Sequence, residues 1–142
     1  MKAGGHGAPL APYFHEYISI KEKPFVNILN LGGFSNWTYK SDNKLMAYDT
    51  GPANYLIDLI SNKYFDVPYD KNGLLAKKGK INDKALLAML SDRFFDQEIP
   101  KSTGFEKFNF NWLTKFKDKF TLSNKNTMIA TVTQLTIISV SD

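Results

Sequence analysis

Between Phe25 and Phe65 the apolar residues change their spacing from every second position to every third or fourth. FVNILNL (25–31) is apolar on both faces, as expected of a strand buried within a sheet. Two adjacent glycines, Gly32 and Gly33, interrupt it. FSNWTYK (34–40) then alternates, setting Trp37 and Tyr39 on one face and Asn36 and Thr38 on the other. The polar SDNK (41–44) marks a second turn, and LMAYD (45–49) reads as a third strand. DTGPANYLIDLISNKYF (49–65) has helical period, with Tyr55, Leu56, Leu59 and Ile60 recurring, Pro52 at an early helical position, and Thr50 or Asp49 able to cap. Strands joined by turns this short run antiparallel. The predicted α/β unit is therefore a three-stranded antiparallel meander feeding helices, with the loop DTGP as the joint.

The flanking segments read more simply. GGHGAPLAPYFHEYI (4–18) is a glycine loop running into a helix, with Pro9 or Pro12 in its first turn. NDKALLAMLSDRFF (82–95) is predicted helical, capped by Asn82, with Leu86, Met89, Leu90 and Phe94 on one face. PKSTGFEKFN (100–109) is an extended loop; FNWLTKFKDKF (110–120) and NTMIATVTQLTIISV (126–140) follow as helices, the last despite its β-branched residues.

At 142 residues the chain is long enough for one domain with a real core, and 43% hydrophobic residues argue against disorder. The absence of cysteine excludes disulfides and thiolate metal sites and suits a reducing compartment. No run approaches the roughly 20 apolar residues that span a bilayer, and MKAGGHGAPLAP lacks the apolar core of a signal peptide. The expectation is a cytoplasmic protein without membrane contact. The net charge of +4 is carried almost wholly by lysine, Arg93 being the single arginine. Arginine supplies the paired hydrogen bonds that read phosphate and guanine, so a solvated lysine surface is expected and a nucleic-acid partner is not.

Chemistry concentrates in four glycine-containing loops: GGHGAP (4–9), NLGGFSN (30–36), DTGPAN (49–54) and PKSTGFE (100–106). Gly32-Gly33 is either a plain hairpin turn or a turn kept bare so that a phosphate can approach its backbone. Asp49 is either a helix cap or a group that orients a hydroxyl, a water or a hydrated metal ion. Lys101, Ser102 and Thr103 place one charge and two hydroxyls in a row, suitable for polar ligand contacts or merely common in loops. His6 and His15 have no carboxylate at ligand spacing, so no metal site is expected from them. Walker, Rossmann and serine-elbow motifs are absent.

In order, GHGAPLAPYFH (5–15), NLGGFSNWT (30–38), YDTGPANYLID (48–58), YDKNGLLAKKGKI (69–81) and PKSTGFEKFNFNWL (100–113) resemble the anhydro-N-acetylmuramic acid kinases. These are bacterial enzymes of the sugar kinase, heat-shock ATPase and actin superfamily. The resemblance implies part of an actin-like ATPase (ribonuclease H-like) fold, with residues 1–22 ending a first lobe and 23–142 opening a second. It implies ATP and Mg2+ as cofactors and 1,6-anhydro-N-acetylmuramic acid as substrate. The 6-hydroxyl would be phosphorylated and the anhydro ring opened by water, giving N-acetylmuramic acid 6-phosphate in cell-wall recycling. Gly32, Gly33 and Asn36 would lie at the phosphates. Gly5, Gly7, Asp49, Thr50, Gly51 and Asn54 would line the cleft, and Lys101, Ser102, Thr103 and Gly104 the sugar side.

The likeness has gaps. His6 stands where the family carries glutamine. The family's Gly-Thr-Ser-Met-Asp-Gly phosphate loop and glycine-rich adenosine motif have no counterpart here. Its aspartate base would fall before Met1, leaving Asp49 as the candidate stand-in. Such a chain is expected to associate with itself or with the missing kinase segments. The alternative reading is a non-catalytic fragment that binds sugar or nucleotide weakly or only pairs with a partner chain.

Overall fold

A computed structural model describes residues 25–41, 44–120 and 124–141. The expected N-terminal glycine loop and helix, with Gly5, His6, Gly7 and His15, lie outside these residues, as does the expected lobe boundary near residue 22.

The meander is present. Strands β1 (Phe25–Leu31), β2 (Phe34–Ser41) and β3 (Lys44–Pro52) form one antiparallel sheet in that order. Four α-helices follow among the described residues: α1 (Asn54–Phe65), α2 (Asp83–Leu90), α3 (Phe110–Thr114) and α4 (Lys125–Ser141). Asn36 and Thr38 share one sheet face with Ala47 and Asp49, while Trp37 and Tyr39 share the other with Met46 and Tyr48. The polar face is the drier one at its centre, with Asn36, Thr38 and Asp49 all buried and Tyr39 and Met46 exposed.

Two strand expectations are corrected. β1 was expected to be buried on both faces, but among the described residues it is an edge strand, and Phe25 and Leu31 are 63% and 53% exposed. β3 runs on to Pro52, so Asp49, Thr50 and Pro52 are strand residues and not the cap and first turn of α1. Pairing with β2 overrides the helix-start signal: Ser35 faces Gly51 and Asn36 faces Asp49, leaving Thr50 as a bulge. Gly51 has φ +148°, and an added Cβ would lie 3.1 Å from Phe95 Cε1, so glycine is required there twice over.

α2 ends at Leu90, short of the expected Phe95. Its cap is as predicted, Asn82 Oδ1 accepting from the Ala85 amide at 3.0 Å. Asp92 then turns the chain by accepting from the Phe94 amide at 2.9 Å. Phe94 is therefore not on the α2 face, yet it is buried as the start of an edge-to-face aromatic file through Phe108, Trp112 and Phe116, with ring centroids 4.9–5.4 Å apart. The segment 110–120 was expected to be one helix. α3 covers only its first five residues, and a 3-10 turn at Lys117–Lys119 follows.

α4 forms as predicted from residues with poor helix propensity. The hydroxyls of Thr131, Thr133 and Thr136 donate to carbonyls four residues back at 2.7–3.2 Å, which satisfies them inside the helix. Ile129, Val132 and Leu135 are at most 1% exposed, each contributing about 1.5–3 kcal/mol by burial, so packing outweighs propensity. They join Leu56, Ile60, Ala85 and Met89 in one core.

α4 is also fixed by Gly79, where an added Cβ would collide with the backbone of Asn126. Gly79→Ala is expected to lower stability by about 1–3 kcal/mol in urea denaturation, because backbone must shift to admit the methyl group. At Asp92, burial would raise the carboxyl pKa, but bonds from Lys107, the Phe94 amide and the Trp112 indole outweigh it and hold it below 3.8. Such a group stabilises the fold above its unfolded pKa and loses that contribution as pH falls through its folded pKa. Asp92→Asn is therefore expected to be less stable at neutral pH, with the gap to the parent chain closing as pH drops below 3.8.

Candidate functional site

The tip of the β1–β2 hairpin and the start of α1 form one unit. The first amides of a helix have no partner within it, and α1 has no side-chain cap. The hairpin supplies one: Gly33 O accepts from the amides of Ala53 and Tyr55 at 2.9 and 3.0 Å, and Gly32 O from that of Asn54 at 3.1 Å. Asn54 Nδ2 also donates to Gly32 O at 3.0 Å, so Asn54 staples hairpin to helix through this amide nitrogen. Phe34 stacks on Tyr55 with ring centroids 5.5 Å apart. Because a trans peptide sets N–H opposite C=O, the Gly33 amide points away from α1.

Neither glycine is demanded by the chain's own packing. Both have negative φ, and an added Cβ would meet nothing closer than 3.6 Å at Gly32 and 3.5 Å at Gly33. These are ordinary contacts.

Three positions along β2 from Gly33, about 10 Å on strand geometry, a second group gathers around Asp49. This residue is 5% exposed and sits across the ladder from Asn36. Its amide donates to Lys101 O at 2.9 Å, and its Oδ2 accepts from Ser102 Oγ at 2.8 Å and the Thr103 amide at 2.9 Å. Asp49 thus clasps the 100–104 loop to the sheet. Two buried atoms beside it, Asn36 Oδ1 and Thr103 Oγ1, have no hydrogen-bond partner among the described residues. Buried polar atoms are rarely left so.

The other expected site residues fall elsewhere. Lys101 Nζ turns away from this group, donating to Phe94 O at 3.2 Å and Phe95 O at 3.0 Å. Burial pushes its ammonium below the usual pKa, against the opposing charge of Asp96. Thr50 Oγ1 lies 2.6 Å from Ser35 Oγ, both buried, which closes the bulge from within. Gly51 packs against Phe95 and Ser139. An added Cβ at Gly104 would meet the Glu106 carboxylate, a flexible neighbour. Gly5 and Gly7 lie outside the described residues.

The structure adds a cavity of about 260 Å³ whose walls include Trp37, Tyr48, Thr50, Phe95 and Ser139. Trp37 and Tyr48 face away from Asp49, so this cavity is not the Asp49 group. The alternation in FSNWTYK placed Trp37 on that face, but nothing local marked the residues from α4 that close it. Among the described residues no cluster of three or more His, Asp or Glu side chains could hold a metal ion, and no helix is long and apolar enough to cross a membrane.

The family model described as anhydro-N-acetylmuramic acid kinase matches residues 1–142. The chain is 42% identical over 143 residues to the anhydro-N-acetylmuramic acid kinase of Sulfurovum sp. (strain NBC37-1), covering 100% of this chain and 40% of that protein. It is 41% identical over 143 residues to the protein of the same name from Pasteurella multocida (strain Pm70), covering 100% and 38%. The corresponding figures for Bacillus thuringiensis subsp. konkukian (strain 97-27) are 39% over 145 residues, 99% and 38%. The chain thus spans about 40% of the length of the curated relatives it matches.

Asp49→Ala removes the acceptor of two loop bonds and leaves their donors unpaired. It is expected to cost about 1–3 kcal/mol of stability and to speed tryptic cleavage after Lys101. Cleavage at the parent rate would mean that other contacts hold the loop.

Proposed function

The chain belongs to the anhydro-N-acetylmuramic acid kinase family, and from that premise we propose that it carries the phosphate hairpin and part of the sugar-facing surface of such a kinase. The reaction is transfer of the terminal phosphoryl group of ATP to the 6-hydroxyl of 1,6-anhydro-N-acetylmuramic acid, with water opening the anhydro ring. The product, N-acetylmuramic acid 6-phosphate, belongs to cytoplasmic recycling of cell-wall sugars. The meander and α1 are then the front of one lobe of an actin-like ATPase fold.

One observation carries the reading: the hairpin has glycines its fold does not need, and their carbonyls are turned onto α1. Carbonyl oxygens repel phosphate, and here they are occupied by helix amides. The Gly33 amide faces the other way, and a bare tip lets phosphate oxygens approach it. The first amides of α1 are taken, so this helix start is not itself the anion site. Asn36 sits further along the strand, between the hairpin and Asp49.

ATP fits this tip. With no metal cluster among the described residues, magnesium would enter with the nucleotide and take phosphate oxygens as its chief ligands, as is usual for that ion. Bound there, it would neutralise charge on the transferring phosphoryl group. Asp49 has one oxygen committed to the 100–104 loop, and its Oδ1 takes no bond from the described residues. Its part is to hold Ser102 and Thr103 in place beside Asn36. Asp49 is thereby a positioning residue first, and a base only through Oδ1.

ADP release from ATP and magnesium, with and without 1,6-anhydro-N-acetylmuramic acid, tests the reading. Gly32→Ala is expected to leave the urea midpoint unchanged or slightly raised while lowering sugar-dependent ADP release by about a hundredfold, the scale of an ångström misplacement. Turnover indifferent to this substitution would sink the hairpin assignment. The second reading is a non-catalytic piece that binds sugar or nucleotide weakly or only pairs with a partner chain. A folded chain with no sugar-dependent turnover would select it.

A further inference from the structure

Behind the Asp49 group, on the opposite sheet face, lies the cavity of about 260 Å³, near the lower end of the range for small-molecule sites. Trp37, Tyr48 and Phe95 put three aromatic side chains in its wall, beside Ile99. A second hollow of about 340 Å³ shares Trp37, Tyr48 and Ile99 with it and gives a way in. Lys101 brings the charge, and among the described residues no carboxylate lines the wall. Two of the three N–H donors of its ammonium go to Phe94 O and Phe95 O at 3.2 and 3.0 Å, and neither acceptor is charged. Asp96 attracts it from a distance without forming an ion pair. A cation stripped of water and lacking a counter-ion is unfavourable, and a carboxylate brought beside it offsets that.

We infer that this cavity binds a small planar aromatic carboxylic acid, its ring among Trp37, Tyr48 and Phe95 and its carboxylate on the remaining N–H of Lys101. A sugar ring fits less well, because its hydroxyls would give up water for a largely apolar wall. The site bears on the Asp49 loop from behind. Thr50, next to Asp49, and Lys101, next to Ser102, both stand in the wall, and the Asp49 amide donates to Lys101 O at 2.9 Å. An occupant that holds Lys101 Nζ therefore steadies the 100–104 loop through the main chain. None of this requires phosphoryl transfer, so a chain without ADP release leaves it standing.

Benzoate is the probe, and heteronuclear NMR of the isotope-labelled chain is the readout. The chain has two tryptophans. Trp37 lines the cavity, while the Trp112 indole donates to Asp92 in the aromatic file and serves as the internal control. Benzoate is expected to shift the Trp37 indole N–H with a Kd of about 1 mM and to leave that of Trp112 in place. At saturation it is expected to slow exchange of the Thr103 amide at least about threefold. Benzamide, the uncharged isostere, and glucuronate, a sugar acid, are each expected to bind at least about tenfold more weakly. Lys101→Met is expected to abolish the shift. An unmoved Trp37 indole would overturn the inference, as would benzamide or glucuronate binding as tightly as benzoate. These comparisons use the parent chain and decide the matter even where Lys101→Met does not fold. A folded Lys101→Met chain that binds benzoate as before would also overturn it, and binding with unchanged Thr103 exchange would overturn the link to the loop.

Discussion

The bonds from the amides of Ala53, Asn54 and Tyr55 to the carbonyls of Gly32 and Gly33 hold the sheet to its first helix. A helix start is short of acceptors and a hairpin tip has carbonyls to spare, so each end satisfies the other without a side chain. This fixes where α1 leaves the sheet, and hence where Leu56 and Ile60 enter the core against α4. It also decides which way the hairpin presents itself. With carbonyls facing the helix, the tip offers an amide to the opposite side.

The second constraint is the bulge at Thr50. A regular ladder would keep β2 and β3 in step to the end; the extra residue shifts them after Asn36 and Asp49. The Ser35–Thr50 hydroxyl pair and the small Gly51 let this irregular backbone pack under Phe95 and Ser139. Asp49 then emerges at the last regular pair before the bulge, where it reaches Ser102 and Thr103 from a distant part of the chain. The loop lies against the edge of β3, so one carboxylate both covers that edge and arranges a polar group beside it.

The helices that follow depend on packing more than on their own preference. α4 is rich in threonine, isoleucine and valine, and it persists because its hydroxyls bond within the helix and its apolar residues are almost wholly enclosed. α3 shows the converse: no sequence signal stops it, but the aromatic file through Trp112 and Phe116 turns the chain after one short helix.

The strand order, the hairpins, the existence of α1, α2 and α4 and the cap at Asn82 were legible in sequence, because periodicity and capping act over a few residues. The set of polar loop residues was legible too, through the collinear motifs. Its grouping was not. Asp49 read equally as a helix cap and became the clasp of a loop 53 positions away; Thr50 and Gly51 read as cleft residues and became buried parts of a bulge; Lys101 read as a ligand contact and turned to backbone carbonyls. Sequence alone determined that a three-stranded meander comes first and helices follow, since hydrophobic period is a property of neighbours along the chain, while the ends of β3, α2 and α3 were set by pairing and packing. Only the tertiary structure decided which polar side chains meet and which atoms remain without partners, since that depends on ladder register and loop docking between residues far apart in sequence.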